Sequence, residues 1–463
     1  MEKDDDMTKF MRQNWTSNYW FFLRPEFIQI ERQQALDEGR DLSSVDKEFD
    51  EVIGLNLSTQ ENLERAERLF DAVQDLPWVA GYRYREPSDL EGIRREQGIA
   101  SVLPTCTLND EQLRNKALGA WLGRASGCLL GKPVEGRMRW QIEKYLRTQK
   151  RWPLDRYFSA EAPVEIKKEC DMDTSERGQY EEGITCMVED DDTNYTVSGL
   201  ALLKQYGGNF TPAQVALFWL SNIPPFHVAT AELVAYRNLM DGIAPPESAR
   251  RGNMFREWIG AQIRADFFGY VNPGQPERAA EFAWRDACMT HVKNGIYGEM
   301  WVAAMLAAAY VCDDVETVIR AGLSQIPVTS RFAAAIEHIL RLHNRRVSYL
   351  DAIADFDGRW KEDDKHHAVH VISNAEIVAI ALLWGAKDFE KTICYSVLPG
   401  YDTDCNGATA GSVVGLMLGA DRLPGKWITP LNDTLLTGVA GYHTVSFTQV
   451  AGQTVELIRQ SRK

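Results

Sequence analysis

Two short acidic islands carry the strongest chemical signal in the sequence. The first is Glu189-Asp190-Asp191-Asp192-Thr193, directly ahead of an apolar run that starts near Tyr195. The second is Gly400-Tyr401-Asp402-Thr403-Asp404-Cys405-Asn406-Gly407. Adjacent carboxylates repel one another and form helix poorly, yet at a helix N-terminus they cap free N–H groups and meet the favourable end of the dipole. Capping alone accounts for either island taken singly. Two helix starts with paired aspartates point further, to one cation site, because Asp402 and Asp404 stand at i and i+2 among small residues and can reach one point. Oxygen donors suit hard divalent ions, magnesium first and manganese also admissible. Asp190, Asp191, Asp192, Asp402 and Asp404 suffice for one or two ions. Paired ions orient a water and polarise a substrate oxygen, so the expected chemistry is hydrolysis.

A third element is Gly131-Lys132-Pro133-Val134-Glu135-Gly136. Pro133 stops a helix, and Glu135 follows in a glycine-flanked loop where a carboxylate can face a pocket. Either an ordinary surface glutamate or a catalytic group fits that position. Asn294 and Tyr297, set between Gly295 and Gly298, read as a flexible loop able to hydrogen-bond or stack on a ligand. His227, after Pro224-Pro225, reads as a hydroxyl or phosphate contact, or else as a hydrogen-bonded histidine in a rigid turn. Tyr401, beside Asp402, should line the same cleft. The run Asp363-Asp364-Lys365-His366-His367 with His370 reads as a solvated segment that can cap a helix near Ser373, since zinc spacing is missing.

These groups need a scaffold, and the pattern of the chain is helical. Apolar runs recur at Val197–Gln205, Pro212–Leu220, Met300–Val311, Arg331–Leu342, Ile377–Trp384 and Gly407–Leu418, with a periodic helix from Glu111, while period-two strands are scarce. The fold class is therefore all-α. Gly119, Gly123, Gly127 and Gly131 fall every fourth residue, as do Gly407, Gly411, Gly415 and Gly419. Each helix-interior glycine costs about 1 kcal/mol against alanine, so the two stripes should be buried near the site in close backbone packing, with each stripe a candidate partner for the other. Arg124, Asp421 and Arg422 exclude the membrane-dimer version of such a stripe. The composition changes between Gln97 and Asn109, which divides the chain into an N-terminal helical extension, 1–108, and a catalytic domain, 109–463. Within the extension, Leu63, Ala66, Leu69 and Phe70 recur at helical spacing behind a cap at Ser58 or Thr59.

At 463 residues, 44% hydrophobic and 25% charged, the composition is that of a globular protein. A net charge of -15 argues against general nucleic-acid binding. Met1 to Asp6 is acidic where a secretory signal is basic, and no apolar run is long enough to span a membrane. Eight scattered cysteines without C-x-x-C spacing read as reduced thiols, so a cytoplasmic location is expected. An oligomer is compatible with all of this.

Taken together and in order, the three islands resemble the ADP-ribosylglycohydrolase family, which includes the dinitrogenase-reductase-activating glycohydrolases. The likeness runs from Leu113 to Leu418. Its first signature is similar to Leu118 through Glu135, with Cys128 where the family has Asp. The Thr-Asp-Asp-Thr signature is similar to Asp190-Asp191-Asp192-Thr193, with Asp190 in place of the Thr ligand, and the Asp-Thr-Asp signature to Asp402-Thr403-Asp404, followed by Cys405 in place of Thr or Ser. The resemblance implies an orthogonal multi-helix bundle with two magnesium ions in a cleft, cleaving the anomeric bond of ADP-ribose. It implies metal binding by Asp191, Asp192, Asp402 and Asp404. Glu135 then acts as base or acid or positions a hydroxyl, and Asp191 or Asp192 can take the proton-transfer role instead. Altered Asp190, Cys128 and Cys405, with longer segments at 222–227 and 291–298, place the chain in a divergent branch. Its substrate is a small molecule or an ADP-ribosylated one. Small N- or O-glycosides such as nucleosides are the alternative, and a non-catalytic binding module the competing class.

Overall fold

The computed structural model describes residues 23–57 and 59–461. Met1 to Asp6 and Ser58 lie outside them. The described residues are overwhelmingly helical, and their one sheet pairs Leu435–Leu436 with Thr444–Val445. Helices used below are α1 (Pro25–Asp37), α2 (Asp46–Ile53), α3 (Gln60–Gln74), α4 (Asp110–Gly131), α5 (Asp191–Tyr206), α6 (Thr230–Met240), α7 (Lys293–Ala309), α8 (Val371–Gly385), α9 (Thr403–Leu418) and α10 (Phe447–Ser461). The predicted helical runs fall inside α5, α7, α8 and α9 and the helices Pro212–Asn222 and Arg331–Asn344, apart from the last two residues of Met300–Val311, which lie just past α7.

Helix α4 begins with a reciprocal cap, in which Asn109 accepts from Gln112 N and the Gln112 side chain accepts from Asn109 N. It then runs buried from Gly119 to Gly131, and α9 is buried from Thr403 to Met417. Their glycines face one another in antiparallel order: Gly119 meets Gly415, Gly123 meets Gly411 and Gly127 meets Gly407. A Cβ on Gly123 would stand 3.2 Å from the Gly415 Cα, and at each of these pairs it would run into a backbone carbonyl. Gly419 differs from the others: at φ +82 it ends α9 in a conformation that favours glycine. The stripe brings the end of α4 to the start of α9, where the Thr403 hydroxyl donates to the Gly131 carbonyl at 2.8 Å.

Helices α1, α2 and α3 form a separate apolar cluster around Phe27, Phe49 and Phe70, completed by Ala231, Val234, Phe255 and Trp258 from later in the chain. Thr59 precedes α3 without a side-chain capping bond, so the cap read at that residue does not form. No helix among the described residues is long and apolar enough to cross a membrane. None of the eight cysteines is in a disulfide.

Candidate active site

Close packing of α4 on α9 delivers Lys132 to Glu135, just past the end of α4, to the start of α9. Helix α5 brings the first acidic island to the same place. The result is the floor of a cavity of about 710 Å³ whose lining includes Lys132, Glu135, Asp190, Asp191, Asp402 and Asp404. Potential ligand atoms of Glu135, Asp402 and Asp404 lie within 4.8 Å of one another, as do those of Asp192, Asp404 and Cys405, and those of Cys128, Asp190 and Asp192. The distant islands thus converge.

Asp190 caps α5, accepting from Asp192 N at 3.0 Å through Oδ1, while its Oδ2 accepts from Lys132 Nζ at 2.6 Å. Both of its oxygens are engaged. Asp192 is fully buried; its Oδ1 accepts from Arg124 Nη2 at 2.8 Å, and its Oδ2 has no partner. The Asp404 Oδ1 is likewise buried and unpartnered. Burial, then the neighbouring charge of Asp190, pushes the Asp404 carboxyl up to about 6. Burial and neighbouring aspartates raise Asp191 and Asp402 well above the carboxylate range, and burial raises Asp192 against the pull of Arg124. Glu135, which is exposed to the cavity, is raised first by the charge of Asp404.

Crowded carboxylates that resist losing protons, with two buried oxygens aimed at no partner, fit a hard divalent cation, which would compensate both the charge and the missing bonds. The thiols of Cys128 and Cys405 are held protonated by burial and by the surrounding aspartates, which suits neither to a hard cation.

His227 and Tyr401 both line the cavity. His227 ends a short turn, Pro225–His227, and its Nδ1 pairs with Glu189 Oε1. The Tyr401 hydroxyl is buried without a partner. Asn294 and Tyr297 do not reach the cavity, and the loop expected there is corrected to the first turns of α7. Asn294 Nδ2 donates to Glu257 at 2.8 Å, and the Tyr297 hydroxyl donates to the Pro87 carbonyl at 2.5 Å. Gly295 and Gly298 are packing glycines: a Cβ on Gly295 would stand 2.7 Å from the Arg256 carbonyl, and one on Gly298 2.5 Å from Val371 Cγ2. The solvated reading of the histidine run is corrected in part: Asp363 and Lys365 are exposed, but His366 and His370 are only 2% and 1% exposed. Its capping role does form: Asp364 caps the helix Lys365–Val369, and His370 accepts from Ile372 N at the start of α8.

Sequence reasoning did not single out Lys132, Glu189 or Asn194 individually. Asn194 donates to Glu189 and accepts from Gly438 N at 2.9 Å, tying the first island to the C-terminal segment. The signal for Lys132 was its place in the motif ending at Glu135, a lone cation facing carboxylates.

An all-α architecture with a cleft floored by two aspartate islands defines a helical hydrolase class. The family model for ADP-ribosylglycohydrolases matches residues 109–461, and the chain belongs to that family. Among curated proteins none matches. One solved structure, described as an ADP-ribosylglycohydrolase-related protein complex, is 18% identical, with a TM-score of 0.47, covering 76% of this chain and 99% of that one.

Proposed function

We propose that the protein is a divalent-metal-dependent hydrolase of a ribosyl bond, acting on an ADP-ribosyl or related small substrate. Residues 109–463 form its catalytic domain and 1–108 an extension. The observation that carries this reading is the convergence of Asp191, Asp402, Asp404 and Glu135 on the lining of one cavity, with Asp192 buried behind it beside Asp404. Asp191, Asp192, Asp402 and Asp404 would hold one or two magnesium or manganese ions, which supply Lewis acidity toward ribose hydroxyls and water. Asp190 keeps an outer role, tying Lys132 to the start of α5.

Cleavage of a ribosyl bond passes through an oxocarbenium-like state, so the site must place a proton-transfer group beside the sugar. Glu135, exposed to the cavity beside Asp402 and Asp404, is placed for that task, and Asp191, also lining the cavity, is the second candidate. His227, oriented by Glu189, binds a substrate hydroxyl, while Tyr401 lines the cavity beside Asp402 with its own hydroxyl buried.

One observation favours small uncharged N- or O-glycosides as a second reading. Among the described lining residues, Lys132 is the sole lysine or arginine, and it is paired with Asp190. A panel of ADP-ribosylated protein, ADP-ribose derivatives and nucleosides, with magnesium and with chelator, separates the two. Glu135→Gln should abolish turnover while sparing metal binding. Cation binding without cleavage of any panel member would overturn the enzyme reading in favour of a binding module.

A further inference from the structure

The extension meets the rear wall of the cavity through three side chains in series. Asp37 is the last residue of α1, where a carboxylate faces the unfavourable end of the helix dipole. It accepts from Gln33 Nε2 at 2.8 Å and lies 3.1 Å from His366 Nε2. His366 Nδ1 in turn accepts from the Trp258 indole N–H at 3.0 Å. That bond fixes the tautomer, leaving the His366 proton on Nε2, aimed at Asp37. His370 accepts from Ile372 N at Nδ1, 3.1 Å away, so its proton also sits on Nε2. Asp37, His366 and His370 have ligand-type atoms within 4.8 Å of one another, yet the imidazoles present N–H groups rather than lone pairs. The bonded relay is Asp37–His366–Trp258, with the His370 Nε2 buried beside it and without a hydrogen-bond partner, and the trio is not a second cation site.

What the relay holds is cavity wall. The backbones of Trp258 and His370 pair in antiparallel fashion, and Val371 N donates to the Glu257 carbonyl at 3.0 Å. Immediately beside this pairing are Ile259 and Gly260 on one segment and Ala368 and Val369 on the other, and all four line the cavity. Val369 also packs against the apolar cluster of the extension, which Trp258 completes.

We propose that the N-terminal extension is a specificity element of the cavity, with Asp37 as a positioning residue acting through His366 and Trp258 on the walls at 259–260 and 368–369. Part of the shape that admits substrate is then set outside the hydrolase core. The kinetic part of this proposal rests on the ribosyl-hydrolase reading; the structural part does not.

The test compares the full-length chain with Asp37→Ala, His366→Phe and Asp37→Asn, the last keeping an oxygen acceptor for His366 Nε2–H. Amide hydrogen exchange in Asp37→Ala and His366→Phe should quicken about tenfold or more in peptides covering 257–260 and 366–371, with α4 and α9 unchanged, while Asp37→Asn stays within about twofold. On whichever panel substrate the wild type cleaves, KM should rise about tenfold in the first two variants, with kcat within about twofold. Unchanged exchange, or exchange quickened evenly along the chain, overturns the proposal, as does quickened local exchange with unchanged KM. If the wild type cleaves nothing, the hydrolase reading fails, and the exchange pattern still decides whether Asp37 holds the wall.

Discussion

Gly127 and Gly407 lie face to face, each presenting its carbonyl where a Cβ of the other would stand. A methyl on Gly407 would sit 2.8 Å from the Gly127 carbonyl carbon, and one on Gly127 would sit 3.2 Å from Ala408 N. Both obstacles are backbone, which cannot rotate away as a side chain can. This contact sets the separation of α4 and α9 and hence where Glu135 stands relative to Asp404.

Gly127→Ala should therefore destabilise the protein by about 3 kcal/mol or more, an overpacking cost that exceeds the roughly 1 kcal/mol gained in helix propensity. Gly452→Ala in α10 is the control. The nearest atom to its Cβ would be Arg114 Nη2 at 3.8 Å, so propensity alone should act and stabilise by about 0.5–1 kcal/mol. Urea unfolding of both variants reads the two signs, and equal effects would mean that the stripe is not in tight contact.

The stripes were legible because a repeated local penalty must be offset by something, and the aspartate islands because like charges seldom cluster twice without a purpose. Asn294 and Tyr297 were misread for the converse reason. Glycines that let α7 approach Arg256 and Val371 look in sequence like loop glycines, and only tertiary contact distinguishes them. His366 and His370 were misread as solvated because what meets them lies far away in the sequence: Asp37 and the Trp258 indole bond to His366, and the Trp258 backbone pairs with that of His370. The relation of the extension to the cavity had no local signal at all.

Arg124 bridges two buried carboxylates, with Nη2 at 2.8 Å from Asp192 Oδ1 and Nη1 at 2.8 Å from Asp266 Oδ2. It also donates to the main-chain carbonyls of Asp192 and Ile263. Arg124→Met fills the volume but leaves both buried carboxylates without their counter-charge, and should cost about 3–5 kcal/mol. Arg124→Lys keeps the charge without the planar fork and should fall between. Denaturant midpoints of the three chains check the order.

Asp404 supplies a test of cation binding that needs no substrate. Without a cation, its charge is buried beside like charges, so Asp404→Asn should leave the chain as stable as wild type or more so. With magnesium at about a hundred times the dissociation constant, the wild type should gain about 2.7 kcal/mol, and the variant much less. Melting curves with magnesium and with chelator measure the difference. Equal shifts in both chains would remove Asp404 from the cation site.

Glu31 makes the stability of the chain depend on pH. It is 0% exposed, its Oε2 pairs with Arg256 Nη1 at 2.5 Å, and its Oε1 has no partner. Burial outweighs the attraction of Arg256 and pushes its carboxyl up to about 7 from a usual 4.5. Between those values the folded chain keeps a proton that the unfolded chain has released. The stability this proton contributes is complete below pH 4.5 and is lost as the pH rises through 7, on the order of 3 kcal/mol. Glutamine at this position has no proton to lose, so Glu31→Gln should gain stability relative to wild type as the pH rises from 5 to 8. Urea unfolding of the two chains at pH 5, 6, 7 and 8 measures that difference. A constant difference across the series would place the pH dependence on other groups.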